Sequence, residues 1–199
     1  MPARSLNVPP LPSIIPARGN VGTRTLARAA MRLFGWRFEG TLPALPKFVL
    51  IVAPHTSNWD FVIGIMVMFA LGIRGTFLGK HTLFWWPLGI VMRWLGGLPV
   101  IRSSSQNQVE QTIHHLRSRA RVVLALSPEG TRTKLPAWRT GFYYVAKGAG
   151  VPIVPVAFDF QAKTIRILPP FTPTDDIAAD LASLQANFTA EMAYHSEQY

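Results

Sequence analysis

His55 and Asp60 stand five residues apart in the polar stretch Pro54-His55-Thr56-Ser57-Asn58-Trp59-Asp60. A carboxylate that holds an imidazole fixes its tautomer and stabilises the imidazolium, so the ring can take a proton from a hydroxyl. On one continuous helix the two side chains would diverge by about 140°. They can meet only if His55 stays on a loop and Asp60 lies in the first helical turn. Residues 48–53 are apolar and rich in β-branched side chains, and they end at Pro54. His55 is therefore expected at the carboxyl end of a buried strand, where α/β folds place ligands. A helix capped by Ser57 or Asn58, with His55 as an ordinary loop residue, accounts for the same residues without chemistry.

Further polar groups follow other apolar runs. Gly97-Leu98-Pro99-Val100-Ile101-Arg102 puts an arginine at the end of a buried-type strand, where a guanidinium can clamp a phosphate. An ordinary surface arginine fits there too. Ser127-Pro128-Glu129-Gly130-Thr131-Arg132 follows the apolar run 121–126. Ser, Pro and Gly suit the first, second and fourth positions of a type I turn, which leaves Glu129 and Arg132 unexplained. A turn with free N–H groups beside an arginine can hold an anion. With Lys80 also at a strand end, three cations are expected around the His55 loop. Val151-Pro152-Ile153-Val154-Pro155-Val156 reads as a strand whose prolines predict an edge position or an irregularity.

The elements that must position these groups alternate. Strand patterns fall at 36–41, 48–53, 76–79, 98–101, 121–126, 151–158 and 164–168, and helix patterns at 25–34, after the His55 loop, 83–95, 106–119, 140–148 and from 176 to about 194. This predicts a single α/β domain with a mixed, largely parallel sheet, helices on both faces and an N-terminal amphipathic helix. Residues 1–22 read as a proline-rich, extended or mobile leader and 23–199 as the domain. Neither an internal repeat nor a linker is visible.

With 199 residues and 49% hydrophobic side chains the chain can bury a full core. Having no cysteine, it has neither disulfides nor Cys-ligated metal, and no metal site is expected. Its formal charge of +10 points to an anionic partner. Eleven of the twenty Lys/Arg and two of the ten acidic residues lie at or before Arg102, so the first half is the basic one. Arg24, Arg28 and Arg32 recur every four residues, as on a helix lying on anionic lipid, although a helix packed on the domain shows the same spacing. The uncharged run 61–73 is too short to span a bilayer, which takes roughly 20 residues, and the first twenty residues lack the apolar core of a signal peptide. Leu83-Phe84-Trp85-Trp86-Pro87 and Trp94 are expected to line an apolar tunnel or to meet a bilayer interface, with some packed in the core.

Together these blocks resemble the glycerolipid acyltransferase family, whose best-known members acylate lysophosphatidic acid. His55, Ser57 and Asp60 match its His-x4-Asp motif, Gly97 and Arg102 its glycine-led strand ending in arginine, Pro128-Glu129-Gly130-Thr131-Arg132 its third block and Val151 to Pro155 its fourth. The resemblance implies that His55 deprotonates an acceptor hydroxyl with support from Asp60, and that the hydroxyl attacks an acyl thioester with no covalent acyl-enzyme. Arg102, Glu129, Gly130, Thr131 and Arg132 would form the acceptor site, with Lys80 and Ser57 assisting. It implies acyl-CoA or acyl-carrier protein as donor substrate, no cofactor, a lysophospholipid acceptor, and a peripheral place on the cytoplasmic face of a membrane, the bacterial inner membrane. Pro54, Ile101 and Ser127 depart from the pattern; an apolar residue usually stands where Ser127 is.

Other readings differ in the acceptor or the class. A lyso-aminolipid or another hydroxylated acceptor needs the same catalytic pair. A basic nucleic-acid-binding domain would need its cations gathered in a recognised module, and none is present, so no nucleic-acid partner is expected. A hydrolase of the nucleophile-elbow type is excluded because Gly-x-Ser-x-Gly is absent.

Overall fold

A computed structural model describes residues 5–100, 105–130 and 137–199. Among them seven strands form one sheet: β1 (Arg37–Glu39), β2 (Lys47–Ala53), β3 (Gly75–Lys80), β4 (Gly97–Val100), β5 (Val122–Leu126), β6 (Ile153–Asp159) and β7 (Thr164–Ile167). Their order is β1-β7-β6-β2-β5-β3-β4, so β2 is the central strand. Every pairing is parallel except β6 with β7. The helices are α1 (Val21–Leu33), α2 (Asn58–Leu71), α3 (Leu88–Leu95), α4 (Ser105–Arg117), α5 (Gly141–Ala149) and α6 (Ile177–Gln185). The mixed, largely parallel α/β sheet read from the alternation is the one observed.

A central strand covered on both sides needs apolar residues on both faces, and β2 has them. Phe48 packs into the core beneath α1 and α2, whereas Val49, Ile51 and Ala53 pack into the core beneath α4, α5 and α6. In β6, Val154, Val156 and Phe158 face the first core, and Ile153 and Ala157 the second.

β6 is neither an edge strand nor exposed: it lies between β2 and β7 and is buried throughout. Its prolines are accommodated by placement. Pro152 precedes the strand and supplies a carbonyl to Val49 N–H. Pro155 turns its missing donor toward the side where β7 has ended at Ile167, and there its carbonyl accepts from Leu168 N–H.

The leader is extended but not loose. Leu6 and Ile15 are each 2% exposed in the first core, Phe38 N–H donates to Leu6 C=O, and Ala17 bridges Ile73. α1 begins at Val21, earlier than expected, because Asn20 and Thr23 form a capping box. Its arginines do not simply line a solvent face. Arg28 Nε donates to Ala70 C=O (2.9 Å) and Arg24 Nη2 to Arg18 C=O (3.4 Å), so two of the three guanidiniums turn toward the carboxyl end of α2. Gly72, in the left-handed region at φ 78°, ends that helix where a Cβ would lie 2.6 Å from Arg24 Nε. Beside Thr25 and Arg32, α1 and its C-cap Phe34 leave large apolar side chains exposed: Val21, Leu26, Leu33 and Phe34.

The pattern at 83–95 breaks at Pro87 into a short 3-10 turn (His81–Leu83) and α3. The helix expected from 176 to 194 stops at Gln185, because the Asn187 side chain donates to the carbonyls of Ser183 and Leu184 in its last turn. Two 3-10 turns follow, Ala190–Met192 and Ser196–Gln198.

If the N-terminal segment is part of the core, Leu6→Ala should lower stability by about 2 to 5 kcal/mol, as for other buried leucines. Denaturant unfolding of the full chain measures this, and a change within about 0.5 kcal/mol, typical of a surface site, would mean that the segment contributes nothing.

Candidate active site

β2 delivers the loop after Ala53 to the carboxyl edge of the sheet, and α2 starts at Asn58 after four intervening residues. Ser57 is the N-cap of α2; its hydroxyl accepts from Trp59 N–H (3.1 Å) and its own N–H donates to Asp60 Oδ2 (2.6 Å). The same Oδ2 faces His55 Nδ1 at 3.4 Å. The helix cap and the His55–Asp60 contact, which the sequence presented as alternative readings, are thus one arrangement. His55 is on the loop and Asp60 in the first helical turn, as their meeting requires. The 3.4 Å contact exceeds the roughly 2.7–3.2 Å of a well-formed N–H···O bond, and such contacts tighten when substrate binds. The Asp60 side chain is 1% exposed and that of His55 26%. With Nδ1 turned to Asp60, Nε2 is the nitrogen left for a hydroxyl.

β5 pairs directly with β2 and brings the Ser127 to Gly130 turn alongside. Gly130 N–H closes it onto Ser127 C=O (3.2 Å), and Gly130 takes φ 63°. Glu129 does something that reading by turn type missed. Both of its carboxylate oxygens accept from the His55 backbone N–H, at 2.9 and 3.1 Å. Glu129, which the resemblance implies in the acceptor site, accepts from the main chain of His55. The only signal was that the turn did not account for it. Burial pushes its carboxyl up to about 7, an effect that the His55 amide and imidazole partly offset and the charge of Asp60 adds to.

Lys80 ends β3 at the same edge and is exposed. Ser57 is buried and serves as the cap. Arg102, Thr131 and Arg132 lie outside the described residues. Two neighbours had no sequence signal. Arg139, whose N–H donates to Pro128 C=O (2.8 Å), packs its Cδ against Gly130. His195 N–H donates to Thr56 Oγ1 (3.1 Å), so the C-terminal segment braces the His55 loop.

An apolar cavity of about 220 Å³ opens beside His55 and Asp60 and runs beneath α2, between Phe61, Gly64 and Met68 of that helix and Val52, Phe77 and Ala125 of the sheet. The aromatic stretch does not line it. Trp85, Trp86 and Trp94 are 62, 79 and 61% exposed, and Trp94 is held by Phe69 and by the Arg18 guanidinium, 4.9 Å from its ring centre. Among the described residues no three His, Asp or Glu gather to hold a metal ion.

A histidine held by a buried carboxylate at the carboxyl edge of a largely parallel sheet, beside a Pro-Glu-Gly turn and an apolar cavity, defines a class that the comparisons with known proteins specify. A sequence model of the family described as Acyltransferase matches residues 36–159, from just before β1 to the end of β6, and the chain belongs to this family. Among curated relatives, the 1-acyl-sn-glycerol-3-phosphate acyltransferase of Salmonella typhimurium is 30% identical over 68% of this chain and 58% of its own length. The Escherichia coli K12 protein of the same name is 28% identical over the same shares. The Haemophilus influenzae one is 28% identical over 62% of this chain and 54% of its own. The chain therefore spans somewhat more than half the length of these relatives. The crystal structure of the 1-acyl-sn-glycerophosphate acyltransferase PlsC from Thermotoga maritima shares the fold, with a TM-score of 0.59 at 21% identity, over 81% of this chain and 72% of that one.

The raised Glu129 carboxyl has a pH consequence. Free in the unfolded chain it titrates near 4.5, and in the fold near 7, so between these values the native state holds an extra proton and stability falls as pH rises. Glu129→Gln cannot ionise. Its melting temperature minus that of the parent should rise from pH 4.5 to 7 and level off above; a difference flat across that range would refute the buried, raised carboxyl.

Proposed function

We propose that the protein moves a fatty acyl group from an acyl-CoA or acyl-carrier-protein thioester to the free hydroxyl of a lysophospholipid, with lysophosphatidic acid as acceptor. The observation that carries this reading is the His55–Asp60 pair at the mouth of an apolar cavity. The family and the names of the relatives support the acceptor.

In this reading His55 Nε2 takes the proton of the acceptor hydroxyl as its oxygen attacks the thioester carbonyl carbon. The C–O bond forms, the tetrahedral intermediate collapses with cleavage of the C–S bond, and the imidazolium returns the proton to the leaving thiolate. Asp60 stabilises the imidazolium, and Glu129 holds the main chain of the base. No nucleophilic side chain and no cofactor are needed. The cavity beneath α2 takes the donor's acyl chain, which is drawn out of water by apolar burial. Arg102 and Arg132, with Gly130 and Thr131, hold the acceptor phosphate, and Lys80 adds positive charge at the same edge.

The reaction belongs at a membrane surface, where both lipids reside. No helix among the described residues is long and apolar enough to cross a bilayer. Supporting peripheral attachment to the cytoplasmic leaflet, Trp85, Trp86, Ile90 and Trp94 project from one region of a chain with a formal charge of +10. Tryptophan favours the interface, and cations favour anionic headgroups.

His55→Ala should lower kcat/KM by roughly 10²- to 10⁴-fold with an unchanged melting curve; retained turnover would remove the assigned base. With Arg132→Ala the KM for lysophosphatidic acid should rise at least about tenfold. Mass spectrometry of the products from a panel of lyso-lipid acceptors reads headgroup and chain together, and acylation of only a non-phosphorylated acceptor would overturn the phosphate clamp. The double variant Trp85→Ser, Trp86→Ser should sediment less with anionic phosphatidylglycerol vesicles, while equal binding would move the membrane contact elsewhere.

A further inference from the structure

A second cavity, of about 450 Å³, lies on the opposite face of the sheet between α4 and α5. It is lined by Gln108, Val109 and Thr112 of α4 and by Trp138, Thr140 and Phe142 near the start of α5, with Arg139 also in its wall. Leu78, Leu126 and Ser127 line both this cavity and the apolar one beneath α2. The two thus adjoin at the sheet's carboxyl edge, beside the catalytic loop.

Ser127 is the departure that the acyltransferase pattern left unused, since an apolar residue usually stands there. Its Oγ is buried and has no hydrogen-bond partner among the described residues. A buried hydroxyl without a partner is costly, and a ligand passing between the cavities would supply one. The second cavity does not suit an acyl chain. Hydroxyl, amide and guanidinium groups interrupt its apolar wall, and no acidic residue is among those lining it. Amide groups joined by short apolar stretches and ending in a phosphate match that lining, with the phosphate toward the exposed Arg139.

We propose that the cavity between α4 and α5 receives the phosphopantetheine arm of the acyl donor, and that the Ser127 hydroxyl donates a hydrogen bond to the thioester carbonyl where arm and acyl chain meet. This rests on the acyl-transfer reading. The acyl chain lies under α2, the arm on the other face, and the carbonyl between them within reach of His55's acceptor. Ser127 keeps its proton. Its hydrogen bond strengthens as negative charge gathers on the carbonyl oxygen, and the bonds made and broken are those of the transfer itself. Coenzyme A and acyl-carrier protein present the same arm, so the assignment holds for either source.

Steady-state kinetics with acyl-CoA and acyl-carrier protein as alternative donors test it, with 4′-phosphopantetheine as inhibitor. Arg139→Ala should raise the donor KM about tenfold, the loss of one charge-assisted hydrogen bond, and by more than it moves the acceptor KM, although Arg139 also packs against Gly130. Ser127→Ala should lower kcat about a hundredfold with little change in donor KM, and Ser127→Phe should block the passage. 4′-Phosphopantetheine should compete with the donor and lose potency with Arg139→Ala; competition against only one of the two donors identifies the source. An acceptor KM that moves instead of the donor KM, or Arg139→Ala and Ser127→Ala both silent in an active enzyme, would overturn the cavity assignment alone. A parent protein that transfers no acyl group from either donor would overturn the functional reading; calorimetric binding of 4′-phosphopantetheine, weakened or not by Arg139→Ala, then decides the cavity by itself.

Discussion

Asp60 Oδ2 accepts from the Ser57 amide at 2.6 Å and faces His55 Nδ1 at 3.4 Å, so one oxygen begins a helix and orients an imidazole. A carboxylate in the first turn of a helix interacts favourably with the helix dipole, and here its side chain is 1% exposed. The imidazole is thereby tied to the most regular element near it. Since α2 is packed over the sheet by Ile63, Val67, Ala70 and Leu71, the imidazole takes its position from the core. The other end of the constraint is Glu129, which takes the His55 amide from the opposite side. A loop residue is therefore held through its ring by one strand–helix unit and through its main chain by the next.

The same two units separate the chemistry onto two faces. The carboxyl ends of β2 and β5 carry the polar groups, while the volume beneath α2 is almost wholly apolar. Small side chains make that volume: Gly64 on the helix and Ala125 on the strand leave space that larger residues would fill.

Much of this was legible from residue pattern. The apolar run 48–53 is a strand because both faces are covered, and His55 is on a loop because Pro54 ends that run. What the pattern could not convey depended on partners distant in sequence. The prolines of residues 151–156 suggested an edge, but β6 is internal, because the position of Pro155's missing donor depends on where β7 ends. The arginines of α1 suggested a solvent or headgroup face, yet Arg28 donates to the Ala70 carbonyl in the last turn of α2 and Arg24 lies against Gly72, to which no local spacing points. Glu129 could be recognised as unexplained by its turn, but its partner is 74 residues away. The long terminal helix failed at Asn187, whose side chain satisfies carbonyls that a continued helix would have used.

Strand order carries one further consequence. β5 lies between β2 and β3 although it follows both in the chain. Until residues 122–126 are available, β2 has no neighbour on that side and the His55 amide has no carboxylate. The cost of closing so long a loop must be met before the site exists. A chain leaving the ribosome would then carry His55 and Asp60 as a helix cap alone until the fifth strand enters between β2 and β3, and the cavity wall of β6 and β7 and the His195 brace would follow only with the last segments.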